Sequence, residues 1–218
     1  MRILYGGTFD PVHNGHLAVA DAAAARLASD VFMLPSADPP LRAPPGASAI
    51  QRAAMLDLAI VGHPHLHVDR RELQRAGPSY TVDTLLAIRA EIGDDAPLAW
   101  LFGADAFAGL PRWHRWRELF ALAHLIVAVR PGHASDGTDA ALRAATAGRW
   151  RDDPAQLART AAGCLFRLDL PLRAEAASDV RDRLARGARW QEDLPPAVAA
   201  WIGAQRLYGC RPAPPPKP

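Results

Sequence analysis

The sequence predicts a doubly wound α/β fold: one parallel sheet with helices on both faces, in a single domain. Three observations carry this expectation. Short apolar runs at residues 1–5, 30–34, 98–102 and 124–129 each have the length of a buried strand. Helix-forming stretches separate them, and that alternation calls for a parallel sheet. The chain of 218 residues can bury roughly 70% of its unfolded surface without disulfide or metal staples.

In order along the chain, residues 1–5 read as a strand broken by Gly6-Gly7. The Ala-rich stretch 15–27 is strongly helix-forming. A strand at 30–34 leads into a loop containing Pro35, Pro39, Pro40, Pro44 and Pro45. Helical spacing resumes near Ser48 with Ile50, Met55, Leu58 and Ala59, followed by a strand at 65–68 and a helix at 80–92. The rhythm then repeats. A strand over 98–102 ends at Gly103, residues 117–122 are helical, and a strand over 124–129 stops at Pro131-Gly132. A helix over 138–148, a strand over 164–168 and helices over 178–186 and 196–207 complete the pattern, with 134–155 the softest stretch. The domain is expected to span 1–207, and 208–218, closing in RPAPPPKP, to form an extended or disordered tail.

Composition excludes several chemistries. Hydrophobic residues at 50% and charged residues at 22% suit a globular protein. The sole lysine is Lys217, in the tail, so neither a Walker-type phosphate loop nor a pyridoxal Schiff base can be built. Cys164 and Cys210 have no C-x-x-C partner, which argues against a disulfide framework or a thiolate zinc site. His63, His65 and His67 alternate, but no further ligand stands nearby, so no protein-held metal is expected. A net charge of +2 is too small to argue for nucleic acid. The absence of a long apolar run or a signal peptide gives the expectation of a cytoplasmic protein without a membrane partner.

Ligands of open parallel sheets bind beyond the carboxyl ends of strands, at helix N-termini. The first strand runs directly into Gly6-Gly7-Thr8-Phe9-Asp10-Pro11-Val12-His13-Asn14-Gly15-His16, ahead of a helix. Gly6, Gly7 and Gly15 would let backbone approach a ligand closely. His13 and His16 stand three apart and can face one ligand beside the positive end of the helix, which suits a polyphosphate. G-x-G-x-x-G is absent, so a dinucleotide redox fingerprint is not supported.

This segment resembles the signature of the nucleotidylyltransferase superfamily, whose core is H-x-G-H. Further segments are similar to the bacterial nicotinate-nucleotide adenylyltransferase family: 35–42 (PSADPPLR), Arg71-Glu72-Leu73 with Pro78-Ser79-Tyr80-Thr81, Gly103-Ala104-Asp105, Pro111-Arg112-Trp113-His114, and 124–127 with Arg130-Pro131-Gly132. The resemblance implies a Rossmann-like fold and transfer of an adenylyl group from ATP to nicotinate mononucleotide, giving deamido-NAD and pyrophosphate. It implies ATP contacts at Gly6, Gly7, Thr8, His13, Gly15, His16, Gly103, Asp105, Ser178 and Arg181, with His13, His16 and Arg181 catalytic. It implies contacts to nicotinate mononucleotide at Arg42, Thr84, Trp113 and Arg130. Mg2+ would be held mainly by the ATP phosphates. Two positions depart from the family pattern. Ala176 stands where the family's S-x-T-x-x-R clamp has its first serine, leaving Ser178 to cap the helix, and Leu41 replaces a polar residue. A different acceptor, such as phosphopantetheine or a sugar phosphate, and a nucleotide-binding regulator without turnover remain alternatives at this point.

Overall fold

The protein is described here by a computed structural model covering residues 1–41, 44–75, 77–129, 139–170 and 175–210. Arg42, Arg130, Pro131-Gly132 and the closing RPAPPPKP lie outside the described residues. In the first half the elements are β1 (Arg2–Gly7), α1 (Asn14–Leu27), β2 (Val31–Pro35), α2 (Ala49–Ala59), β3 (Leu66–Val68) and α3 (Thr81–Ile92). Then come β4 (Leu98–Gly103), α4 (Ala104–Ala108), α5 (Leu119–Leu122), β5 (His124–Val129) and α6 (Ala140–Thr146). The last are β6 (Trp150–Arg151), β7 (Leu165–Asp169), α7 (Ala177–Arg186) and α8 (Pro196–Gln205).

The strands form one seven-stranded sheet in the order β3-β2-β1-β4-β5-β7-β6, and every neighbouring pair is parallel. Period-two alternation splits strands β1, β2, β4 and β5 between two cores. Ile3, Tyr5, Val31, Met33, Leu101 and Ile126 pack beneath α1, α2, α7 and α8. Leu4, Leu98, Trp100, Leu125 and Val127 pack on the other face with α3 through α6. Ala20, Ala23 and Ala24 are buried on α1, where their small side chains let the helix lie close to the sheet. Ser48 and Gln51 cap α2 reciprocally, each side chain accepting from the other's backbone N–H.

Three differences from the sequence reading have local causes. α4 follows β4 with no intervening loop, so no turn signal marks its start. β6 is only two residues long, and the chain returns from it to place β7 between β5 and β6. Residues 208–210 stay with the domain: Tyr208 packs against the core and its hydroxyl donates to Asp10 Oδ1 at 2.8 Å. No helix among the described residues is long and apolar enough to cross a membrane.

The chain order reverses between β1 and β4, since β2 and β3 extend one way and β5 to β7 the other. At such a switch point the crevice opens beyond the strands' carboxyl ends. Gly7 and Gly103 each lie two residues past the Tyr5–Leu101 pair, so the two strands end side by side on glycine.

Candidate active site

The loop leaving β1 is held by its own aromatic packing. Phe9 adopts left-handed backbone (φ 51°) although it carries a side chain, a conformation that needs surrounding structure to hold it. Its ring stands edge-on to Tyr5 and His16, with centroids 5.5 and 5.0 Å away. The glycines before it serve these rings. A Cβ on Gly6 would lie 2.2 Å from the Trp100 indole, and one on Gly7 would lie 2.9 Å from the Phe9 ring. Their bareness makes room for these protein side chains. Gly103 differs, because a Cβ there would meet nothing within 4 Å.

His13 is the N-cap of α1 and His16 occupies its third position. The His16 N–H donates to His13 Nδ1 at 3.3 Å, and the His13 N–H donates to His16 Nδ1 at 3.2 Å. This is a capping box made from two imidazoles. The rings stack with centroids 3.6 Å apart. Since each Nδ1 accepts a backbone proton, the ring proton sits on Nε2 in both. The pair thus presents two N–H donors beside the positive end of a 14-residue helix. Gly15 is fixed by the same geometry: a Cβ there would stand 3.0 Å from His13 Nδ1.

Below the histidines lies a buried polar hub. Asp10 accepts from the backbone N–H of Gly46 through Oδ2 (2.8 Å) and of Ala47 through Oδ1 (3.0 Å), while Oδ1 also accepts from the Tyr208 hydroxyl. Burial, reinforced by the Asp10 carboxylate, pushes the Tyr208 hydroxyl far above its ordinary range, so it remains a donor. Arg52 is 1% exposed and donates to the carbonyls of Thr8 (2.6 Å), Ser36 (2.6 Å), Ala37 (3.3 Å) and Ala47 (3.3 Å). It pins the ends of β1 and β2 to the start of α2. Arg181 reaches across from α7, its Nη1 donating to the Asp10 carbonyl at 2.5 Å and lying 3.7 Å from Asp10 Oδ2.

The N-terminus of α7 meets that of α1, where a Cβ on Gly15 would lie 3.7 Å from Glu175 Cβ. Ala176 is the N-cap and supplies no side-chain bond. Ser178 is not the cap that the sequence suggested, because it is the second residue of the helix, 3.5 Å from Asp179 Oδ1. The structure therefore brings Thr8, His13, Gly15, His16 and Arg181 together at one end of the sheet. Asp105, in the first turn of α4, is exposed just past Gly103.

Residues 4–183 match the family model described as cytidylyltransferase-like. The chain is 54% identical over 214 residues to a protein of Stenotrophomonas maltophilia (strain K279a) named "Probable nicotinate-nucleotide adenylyltransferase", with 95% of this chain and 96% of that one covered. A Cronobacter sakazakii (strain ATCC BAA-894) protein of the same name is 44% identical over 214 residues, covering 98% of this chain and 97% of the other. The chain belongs to the nicotinate-nucleotide adenylyltransferase family. Its Rossmann-like fold is shared with Plasmodium falciparum nicotinic acid mononucleotide adenylyltransferase complexed with NaAD, at TM-score 0.72, 14% identity and coverage of 96% and 98%.

The acceptor-side positions of this adenylyltransferase are less gathered. Trp113 is half-buried, its ring edge-on to Phe102 with centroids 5.9 Å apart, at the same end of β4 as Gly103. Thr84 does not open onto the site. It is fully covered, and its hydroxyl donates to Glu72 Oε1 (2.8 Å) and accepts from Arg75 Nη1 (3.1 Å). Burial pushes the Glu72 carboxyl up, while its bond from Thr84 and the charge of Arg75 pull it down. Arg42 and Arg130 lie outside the described residues. Sequence reading assigned no role to Asp10, Arg52 or Tyr208. Asp10 lies inside the quoted motif, but its partners come from residues 46–47 and 208, which spacing does not reveal.

Proposed function

We propose that the chain transfers the adenylyl group of ATP to nicotinate mononucleotide, giving deamido-NAD and pyrophosphate. Family membership supports the reaction. The structural observation that carries the site is the meeting of two imidazole donors, one guanidinium and two helix N-termini beyond the carboxyl end of β1.

The acceptor's phosphate oxygen is already ionised, so no side chain has to remove a proton. That oxygen forms a bond to the α-phosphorus as the bond from phosphorus to the bridging oxygen breaks, and the electron pair leaves with pyrophosphate. Catalysis then rests on in-line positioning and preorganised positive charge. His13 and His16 donate from Nε2 to oxygens that gain charge at the α-phosphate, and Arg181 meets the β- and γ-phosphates of the leaving group. Thr8, Gly15 and Ser178 line the phosphate side, and Asp105 meets the ATP ribose beyond Gly103. The Trp113 indole offers a face to the pyridine ring, with Arg42 and Arg130 for its phosphate and carboxylate.

ATP enters as its magnesium complex, with Mg2+ held by phosphate oxygens and water. Imidazole N–H, guanidinium and backbone N–H groups complement phosphate oxygens and leave the cation to the nucleotide. We place the reaction in the cytoplasm, where thiols such as those of Cys164 and Cys210 stay reduced.

Purified protein given MgATP and nicotinate mononucleotide should release pyrophosphate and form deamido-NAD, both followed by chromatography. Parallel reactions with nicotinamide mononucleotide and phosphopantetheine fix the acceptor. Faster turnover of phosphopantetheine would overturn the assignment. ATP binding without product from any acceptor would make the chain a nucleotide-binding regulator.

A further inference from the structure

The turn at Leu207–Gly209 reaches the phosphate end of the molecule. After α8, Arg206 (φ 52°, ψ 37°) and Tyr208 (φ 55°, ψ 28°) both take left-handed backbone although neither is glycine. Such conformations persist only where surrounding contacts hold them, and they cluster at functional sites. Here the two bends fold the chain back and deliver the Tyr208 ring to Gly46. A Cβ on Gly46 would stand 2.9 Å from that ring and 3.7 Å from Arg181 Cδ, so the ring, the glycine and the arginine stem form one layer. The hydroxyl at the end of the ring donates to Asp10 Oδ1 (2.8 Å), and the carbonyl of the same Asp10 receives Arg181 Nη1 (2.5 Å). Arg181 is otherwise a long side chain, 38% exposed, with many rotamers to lose when it meets a phosphate.

We propose that Tyr208 is a positioning residue for ATP: its bond to Asp10 and its packing on Gly46 hold the Asp10 carbonyl and the Arg181 stem where the guanidinium meets the triphosphate. The inference rests on the adenylyltransferase reading for the ligand's identity. The chain's C-terminal turn then belongs to the nucleotide site, 192 residues in sequence from His16. Tyr208 touches no reacting atom. It acts by removing conformational freedom from a group that does, which strengthens binding without adding a contact to the ligand.

The test is titration calorimetry with MgATP alone, so that it does not depend on acceptor identity, followed by steady-state kinetics. Tyr208→Phe removes only the hydroxyl. It should weaken MgATP binding by about 5- to 10-fold, the loss of one hydrogen bond of ordinary strength. The KM for the pyridine nucleotide should stay within about 2-fold. The deciding measurement is the double variant. In an Arg181→Ala background, Tyr208→Phe should have no further effect on MgATP affinity, because the residue it positions is gone. An equal loss in both backgrounds, or no loss in either, overturns the proposal. Gly46→Ala is the second probe, since its methyl displaces the ring without removing the hydroxyl group, and it should weaken MgATP binding in the same way. If neither variant folds, the contact serves the fold alone and the proposal fails. Wild-type protein that binds MgATP with this dependence on Tyr208, yet adenylates no pyridine nucleotide, would sink the reaction and leave the latch standing.

Discussion

Around the β1–α1 loop each functional side chain is set by partners close to it, whereas the acceptor side draws its candidates from four separate segments. His13 and His16 cap one another through their own backbone N–H groups, and Arg181 is seated on a carbonyl of the same loop. Trp113 is placed by Phe102, and Thr84 by Glu72 and Arg75, with no bond among those described joining the two sets. The phosphate half is thus a rigid cradle. On the acceptor side, the described candidates Thr84 and Trp113 are each held by neighbours of their own.

The largest effect should come from cutting the cradle away from the sheet. Arg52→Met leaves the carbonyls of Thr8, Ser36, Ala37 and Ala47 without their buried donor. Burial already disfavours the charged guanidinium, so part of the loss is offset by relieving that penalty. A net destabilisation of about 3 kcal/mol remains, enough to lower the melting temperature by roughly 10 °C. A variant melting within about 2 °C of wild type would show that the hub does not hold the loop.

His16→Ala tests the chemistry of the same half. Removing one preorganised donor should lower kcat on the order of 100-fold, while loss of the reciprocal cap costs only about 1 kcal/mol of stability. Turnover near wild type would take His16 out of the mechanism. On the acceptor side, Trp113→Ala should raise the KM for the pyridine nucleotide by roughly 10-fold, the worth of one stacked ring, and leave the KM for ATP within about 2-fold. Equal changes for both substrates would make Trp113 a packing residue and erase the contrast between the halves.

This contrast also explains what the sequence could show. Strands such as His124–Val129 are buried throughout and apolar after His124, and are legible because both sheet faces are covered. β6 was not, since two residues cannot display a period. The motif from Gly6 to His16 is contiguous, so its spacing alone placed two imidazoles on one helix start. Arg52 and Tyr208 were invisible for the opposite reason. Each acts only through segments far away in sequence, and a buried arginine on an amphipathic helix looks like any solvated one until its acceptors are known. Gly6 and Gly7 show a subtler limit. Their lack of side chains is plain in the sequence, but that it accommodates Trp100 and Phe9 is a tertiary fact. Ser178 misses the cap by two positions, which capping geometry decides and motif alignment does not.

The smallest effect contrasts histidines at opposite ends of the sheet. His124 opens β5, at the strands' amino ends, and is wholly buried. Its Nδ1 accepts from the Cys164 N–H at 3.1 Å, and its Nε2 donates to the Thr160 carbonyl at 2.8 Å. Burial pushes this imidazole below its ordinary 6.5, outweighing the upward pull of the Thr160 and Leu157 carbonyls, and Arg89 adds to the downward side. A base whose folded pKa is depressed binds more protons when unfolded. Its contribution to stability is therefore complete above about pH 6.5 and declines as pH falls from there toward the lower folded value. Melting curves between pH 8 and pH 5 should thus show a steeper acid loss in wild type than in His124→Gln, whose amide does not titrate across this range. Parallel curves for the two proteins would assign the acid sensitivity to other groups. The same substitution, at the amino end of the sheet away from the phosphate loop, should leave the KM for ATP where it was, whereas His16→Ala lowers turnover.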